Sequence, residues 1–360
     1  AMRLVSTPRL RGTALNRGRE AVVRMAAHKS GPTSTPHAAR RKQNIQGPVW
    51  VDETCIDCDT CRGMAPTVFA RLDEQSAVMH QPEKHERVRS LQALLSCPTF
   101  SIHFDDRTAE ELKEAQQGLP APVPGVPNVF HCGWHSEATF GAASYLIQRS
   151  QGNVLVDMPR FNPVLARRLE EMGGVKWIFL THKDDVADHE KWAKRFGATR
   201  IIHAGEVVDN PGLSEVEVQL QGEGPWPWSS ILDQASACNA RNGSEDSSGN
   251  AGQDDLLLIR TPGHTENHVC LLYKPSKALF TGDHLSSPED HPNPQELYTF
   301  KDFNWYDHDI QLASVRKLLA YDWLHCLPGH GRIAHLQDAA QRLQAVTALM
   351  QRNNAPLPVA

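Results

Sequence analysis

The 360-residue chain lacks a long apolar stretch. Its hydrophobic runs fall well short of the ~20 residues that a membrane helix needs, so no transmembrane segment is expected and a soluble protein is. Acids are almost missing at the beginning, where residues 1–46 hold ten Lys/Arg and a single acid, Glu20. Beyond residue 46 the deficit reverses: 27 basic side chains face 41 acidic ones, a net of −14 within an overall charge of −5. An acidic body argues against nucleic acid as partner or substrate, because neutralising phosphates takes clustered Lys and Arg. Cysteine is present but sparingly arranged. The spacing C-x2-C-x2-C occurs once, at Cys55, Cys58 and Cys61. The second Cys or Cys/His pair of an ordinary zinc site does not accompany it.

What those three cysteines do have is a remote fourth, Cys97, followed directly by Pro98. Three closely spaced thiolates plus a distant Cys-Pro is the ligand pattern of a ferredoxin-type [4Fe–4S] cluster. A disulfide reading is poor, since such closely spaced thiols are more often metal ligands or redox groups. The flanking text, CRGMAPTVF over 61–69 and SCPTFSI over 96–102, resembles single-cluster bacterial-type ferredoxins across residues 47–104. The resemblance implies one cluster, held by Cys55, Cys58, Cys61 and Cys97. Of the other cysteines, Cys270 and Cys326 lie in apolar strand-like runs and read as core. Cys132 and Cys238 have no evident role.

A second constellation lies downstream. An apolar run at 175–180 is followed by THKDDVADH over 181–189, then by a helix-like pattern that ends at Gly197. Further strand-like runs are followed by TPGHT (261–265), TGD (281–283) and LPGHG (327–331). Each puts a His or Asp just past a strand, beside a Gly that lets the backbone turn sharply. Neutral imidazoles and carboxylates are good ligands for zinc, iron and manganese.

Four such turns in this order resemble the metallo-β-lactamase-fold superfamily, whose first motif is His-x-His-x-Asp-His. The resemblance covers residue 127 to the C-terminus. It implies two divalent ions, zinc or iron. One would be held by His182, His264 and a bridging Asp283, the other by Asp188, His189, His330 and the same Asp283. Asp188 and Asp283 are the carboxylates expected to take part in catalysis. The first motif is two residues longer than the family's. Asp184 stands where the family has its second His and is expected as a ligand, with Asp185 as the fallback if the loop shifts register. Three carboxylates and four imidazoles would make a harder site than the usual zinc set, more hospitable to iron or manganese.

The expected architecture is thus α/β (α+β): a small ferredoxin-like domain at 47–104, a Pro/Gly-rich linker at 105–125, and a four-layer αβ/βα sandwich at 126–360. A flexible insertion is expected at 233–254, with Trp226 and Trp228 beside it as loop anchors or as the border of a groove. Residues 1–46 have the composition of an organelle transit peptide and leader. VVRMAA over 22–27 resembles a chloroplast processing site, so the plastid stroma is expected ahead of the mitochondrion. The leading functional expectation is a dinuclear metal-dependent hydrolase of a small-molecule ester or thioester, similar to glyoxalase II. One alternative is a ferredoxin-coupled di-iron oxidoreductase resembling flavodiiron proteins, served by an electron-donor or electron-acceptor protein, although no flavodoxin domain is visible. The other is a scaffold or assembly factor.

Overall fold

Alternation of side chains along short strands builds the larger domain. The computed structural model describes residues 39–208, 210–241, 254–289 and 295–358, all within one compact unit. Seven strands form one sheet, in the order Val218–Leu220, Thr199–His203, Trp177–Phe179, Val154–Val156, Tyr145–Ile147, Val129–His131 and Ala121–Pro122. Six form a second, in the order Trp226–Pro227, Leu256–Arg260, Val269–Tyr273, Ala278–Gly282, His325–Pro328 and Ala334–His335.

Successive side chains on a strand point to opposite faces. Tyr145, Ile147, Val154, Val156, Trp177 and Phe179 therefore meet Leu256, Leu258, Leu271 and Phe280 between the sheets. Their neighbours Leu146, Leu155 and Ile178 face outward, against Leu165 and Leu169 of the helix Pro163–Glu171 and against Trp192 of the helix His189–Phe196. On the far side, Cys270, Leu272 and Cys326 pack against Leu312 and Val315 of His308–Lys317 and Leu349 of Ala339–Arg352. This is the four-layer sandwich expected from the sequence. Gly197, at φ 64°, closes the helix His189–Phe196 where its position implied.

The direction of the strands decides where the chemistry collects. Ala278–Gly282 runs parallel to His325–Pro328, and antiparallel to Val269–Tyr273, which is itself antiparallel to Leu256–Arg260. Three strands of this sheet therefore end on the same edge, and His264, Asp283 and His330 follow those ends.

Three boundaries differ from the sequence reading. Residues 39–46, expected within the leader, are part of the fold. The buried Arg41 guanidinium donates to Ser76 O (2.5 Å) and Leu72 O (2.8 Å), and Asn44 bonds both Val51 and Val78. The 105–125 segment is not a free linker. It holds the helix Ala109–Gln117, started by a capping box between Thr108 and Glu111, and it buries Ala115 and Leu119 completely. Its Pro/Gly content sits only at the helix exit. The 233–254 insertion begins as helix, because Trp228–Arg241 continues through it, and the remainder of the insertion, 242–253, lies outside the described residues. Trp226 and Trp228 are buried anchors. Of the segment 1–46 expected as a transit peptide and leader, residues 1–38 also lie outside the described residues. No helix among the described residues is long and apolar enough to cross a membrane.

The ferredoxin-like part is joined to the sandwich by a continuous core. Val49, Phe69, Leu91 and Phe104 belong to the same buried cluster as Leu146, Leu155 and Trp192.

Candidate metal centre

Two groups of ligand-type atoms, each within 4.8 Å of one another, stand at the strand ends: His182, His264 and Asp283, and Asp185, Asp283 and His330. Asp283 belongs to both, and its two oxygens divide between them. Oδ2 lies 3.9 Å from His182 Nε2 and 3.7 Å from His264 Nε2, whereas Oδ1 lies 2.7 Å from His330 Nδ1. Two ligands each ~2.1 Å from a shared tetrahedral ion would stand about 3.4 Å apart, close to the first two distances, whereas 2.7 Å is a direct hydrogen bond between His330 and Asp283.

The donor atoms fit cations for a second reason. His182 Nε2, both ring nitrogens of His264 and Asp185 Oδ2 are buried without a hydrogen-bond partner, a costly arrangement unless an ion satisfies them. The electrostatics agree. Burial works against a charged imidazole at His182, but Asp185, Asp283 and Asp184 more than reverse it and push the group up to about 9. His330 is raised to about 10 in the same way, burial being outweighed chiefly by Asp283. Burial would raise Asp283, yet His330, His264 and His182 hold it well below the usual carboxylate range. The site therefore favours positive charge between these side chains. His264 is the exception, lowered to about 3 by burial, and so presents neutral nitrogens suited to a metal.

Outer partners aim the ligands. Thr181 N–H and Oγ1–H both donate to Asp157 Oδ1, at 2.9 and 3.0 Å. Thr181 Oγ1 in turn receives His182 Nδ1–H at 2.9 Å, which leaves Nε2 to face Asp283. His330 Nε2–H donates to Thr139 O at 3.1 Å, which turns Nδ1 toward Asp283 Oδ1, 2.7 Å away. Such partners fix tautomer and ring orientation. The buried Glu206 clamps two ligand loops together, accepting from Lys183 N (3.0 Å), Thr265 Oγ1 (2.7 Å) and Asn267 N (3.0 Å). Sequence reasoning missed Asp157 and Glu206. An Asp closing the run VLVD was a usable sign for the first, but nothing local marks Glu206.

Three sequence expectations differ from the structure. Asp188 is not at the centre. It sits at φ 57°, its Oδ2 accepts Phe161 N–H (2.9 Å), and its Oδ1 pairs with Lys191 (2.5 Å). His189 is on the first turn of the following helix and faces Arg200 instead, with Nδ1 3.2 Å from its guanidinium. Asp184 is exposed at the rim, 3.8 Å from His182 Nε2 but outside both groups. Asp185, the fallback, is the carboxylate brought to Asp283 and His330. The donor set is thus three imidazoles and two carboxylates. His268 and His284 lie in the core beneath, with ring centroids 5.3 Å apart; burial lowers both, His284 to about 3.

The four upstream cysteines line one pocket. Their sulfurs receive Ser76 N–H at Cys55 (3.4 Å) and Ser101 N–H at Cys97 (3.3 Å), and lie near Thr60 Oγ1 at Cys58 (3.3 Å) and Ser76 Oγ at Cys61 (3.2 Å). Burial raises Cys58 to about 12 and raises Cys61 and Cys97 as well. Buried thiols in one pocket need a strong cation to become thiolates, which iron supplies. Among the described residues they form no group as tight as the two above, so they are spread wider than the ~3.8 Å that thiolates take around a single zinc. The residues fit a cluster.

Residues 139–330, more than half of the chain, match the family described as the Metallo-beta-lactamase superfamily, and the chain belongs to it. Residues 51–104 match the 4Fe-4S single cluster domain of Ferredoxin I, so a ferredoxin domain precedes the lactamase-type domain. The lactamase-like protein aptB of Emericella nidulans is 23% identical over 247 residues, 60% of this chain and 62% of that protein's length. Among solved structures, the metallo-β-lactamase FIM-1 of Pseudomonas aeruginosa in its mono-zinc form aligns at 15% identity and a TM-score of 0.39, over 60% of this chain and 85% of that one. The metallo-β-lactamase of Pontibacter korlensis aligns at 16% identity and 0.39, over 57% and 86%.

Proposed function

We propose that this protein is a dinuclear metal-dependent hydrolase acting on a small ester or thioester. The observation that carries the reading is the division of Asp283 between two donor groups, which is what a carboxylate bridging two cations requires. Bound there, divalent ions would supply Lewis acidity and lower the pKa of water. His182 and His264 would hold one ion with Asp283, and Asp185 and His330 the other. Asp157 and Thr139 orient the imidazoles, and Glu206 keeps the loops in register.

The segment beside His264 speaks to the substrate. Phe303, Trp305 and Tyr306 are 57%, 47% and 48% exposed, and the Trp305 ring lies 6.5 Å from that of His264. Exposed aromatics clustered next to a reactive centre suit a substrate with an apolar portion. The test is metal analysis and turnover of anaerobically purified protein on a panel of thioesters and esters. Two ions beyond the cluster iron, and hydrolysis lost together with both ions in Asp283→Asn, are expected. Full metal content with no turnover on any member of the panel would overturn the hydrolase assignment.

A second reading, a ferredoxin-coupled oxidoreductase, is favoured by one observation: the cluster loop packs against the turn that carries His330.

A further inference from the structure

The cluster loop and the His330 turn meet in two places. The first is the segment 136–141. Gly141 has φ +86°, and a Cβ there would lie 2.8 Å from Cys58 Cβ and 3.0 Å from Cys58 Sγ. Its backbone therefore rests directly on a cluster ligand, an approach only glycine permits. Thr60 Oγ1 reinforces the contact, lying 3.3 Å from Cys58 Sγ and 2.9 Å from His135 Nδ1, while that same ring nitrogen donates to Gly141 O at 2.6 Å. Two residues earlier, Thr139 O accepts His330 Nε2–H at 3.1 Å, and His330 Nδ1 faces Asp283 Oδ1 at 2.7 Å. Between a cluster ligand and a ligand of the metal centre there is one short run of backbone, with close contacts at both ends.

The second is an ion pair. Asp59, adjacent to Cys58 and 3% exposed, accepts from Arg332 Nη2 at 2.9 Å, and Arg332 stands two residues past His330. Arg62, in the same cluster loop, pairs with Glu289 at 3.1 Å. Arg160 of the sandwich donates to Cys97 O at 3.3 Å and to Leu95 O at 3.1 Å. These contacts fix the cluster domain rigidly against one half of the centre. His182, by contrast, is tied through Thr181 to Asp157. The half nearest the cluster is also the harder one, with two carboxylates and one imidazole, and so the better host for iron.

We propose that segment 136–141 and the ion pair of Asp59 with Arg332 form an electron route from the cluster to an iron ion at Asp185, Asp283 and His330. The proposal rests on the metal-centre reading above but not on hydrolysis. Held by Cys55, Cys58, Cys61 and Cys97, a reduced cluster would give up one electron, and a ferric ion held by Asp185, Asp283 and His330 would take it up and become ferrous. No bond forms or breaks and no proton moves. The electron that recharges the cluster comes from an external one-electron donor.

The test uses the full chain with cluster and iron in place, oxidised, and a photoexcited deazaflavin as donor. A flash reduces the cluster, and its visible absorption is followed. The expected result is first-order reoxidation, independent of protein concentration, with an equal yield of ferrous ion by Mössbauer spectroscopy. Protein carrying zinc at the centre should keep its cluster reduced, because zinc has no accessible redox state. His330→Gln should lose the fast phase and Asp188→Asn, outside both donor groups, should retain it. Gly141→Ala should slow it. Asp59→Asn, a milder change, should also slow it while metal content stays constant, and serves where Gly141→Ala does not fold. Equal lifetimes in the iron and zinc forms, a rate that scales with concentration, or a fast phase retained in His330→Gln would overturn the route. Metal analysis finding only cluster iron would overturn the metal-centre reading itself, and the route with it.

Discussion

Asp185 and Asp188 share one loop, yet they do different work. Asp188, in the left-handed region, turns its carboxylate back to Phe161 N–H and Lys191, while Asp185 is directed to the shared Asp283. Asp185→Asn should therefore cost one of the two ions. Asp188→Asn should keep both and lower stability by about 1 kcal/mol, the worth of a charged hydrogen bond partly replaced. Metal analysis together with denaturant titration separates the two. Glu206→Ala strips three donors of their acceptor and should destabilise the fold by roughly 3 kcal/mol and weaken metal binding by ~10–100-fold, as outer-partner losses do. Isothermal titration with zinc checks the second figure. Trp305→Ala should raise KM with little change in kcat, because only the exposed ring is removed and the backbone bond from Trp305 N to His264 O (2.9 Å) stays. Steady-state kinetics on the best substrate of the panel would show it. Cys132 is fully buried and its thiol is pushed up to about 12, so it should resist iodoacetamide in the native protein and react on unfolding. Peptide mass mapping reads this directly.

At the scale of single elements, the helix Ala109–Gln117 is the most informative. It is short, with a full capping box at its start and Arg87 of a neighbouring helix paired to Glu111. Thr108→Ala removes the side-chain cap on Glu111 N and should lower stability by ~1 kcal/mol, measurable as a shift of the denaturation midpoint. The strands around the site were legible as short apolar runs, the last two with a Gly at their end, and the structure keeps them at Val154–Val156, Trp177–Phe179, Ala278–Gly282 and His325–Pro328. The helix at 109–117 was not legible. The prolines and glycines after it dominated the reading, and the apolar face it presents is narrow: Ala115 alone is fully buried within it.

For the molecule as a whole, the shared core between the cluster domain and the outer face of the first sheet has a direct consequence. Leu91, Leu119, Trp134 and Leu155 lie in one buried cluster. A chain lacking residues 39–104 should expose that face and aggregate, since a large uncovered apolar patch is unstable in water. The intact protein should unfold in one transition with cluster and sandwich lost together, testable by calorimetry beside loss of the cluster absorption. Two well-separated transitions would contradict a common core.

Local chemistry determined much of this protein. The cysteine spacing marked the cluster motif, and His182, His264, Asp283 and His330 stood out because each follows an apolar strand-like run, the last three beside a Gly. What only the tertiary structure decided was register and partnership. Whether Asp184, Asp185 or Asp188 faces inward depends on the left-handed backbone at Asp188 and on the bond from Phe161, neither of which a linear pattern specifies. The same holds for Glu206 and for the contact of Gly141 with Cys58, because these residues lie far apart in the chain and meet only when the two sheets and the cluster domain pack on a common core.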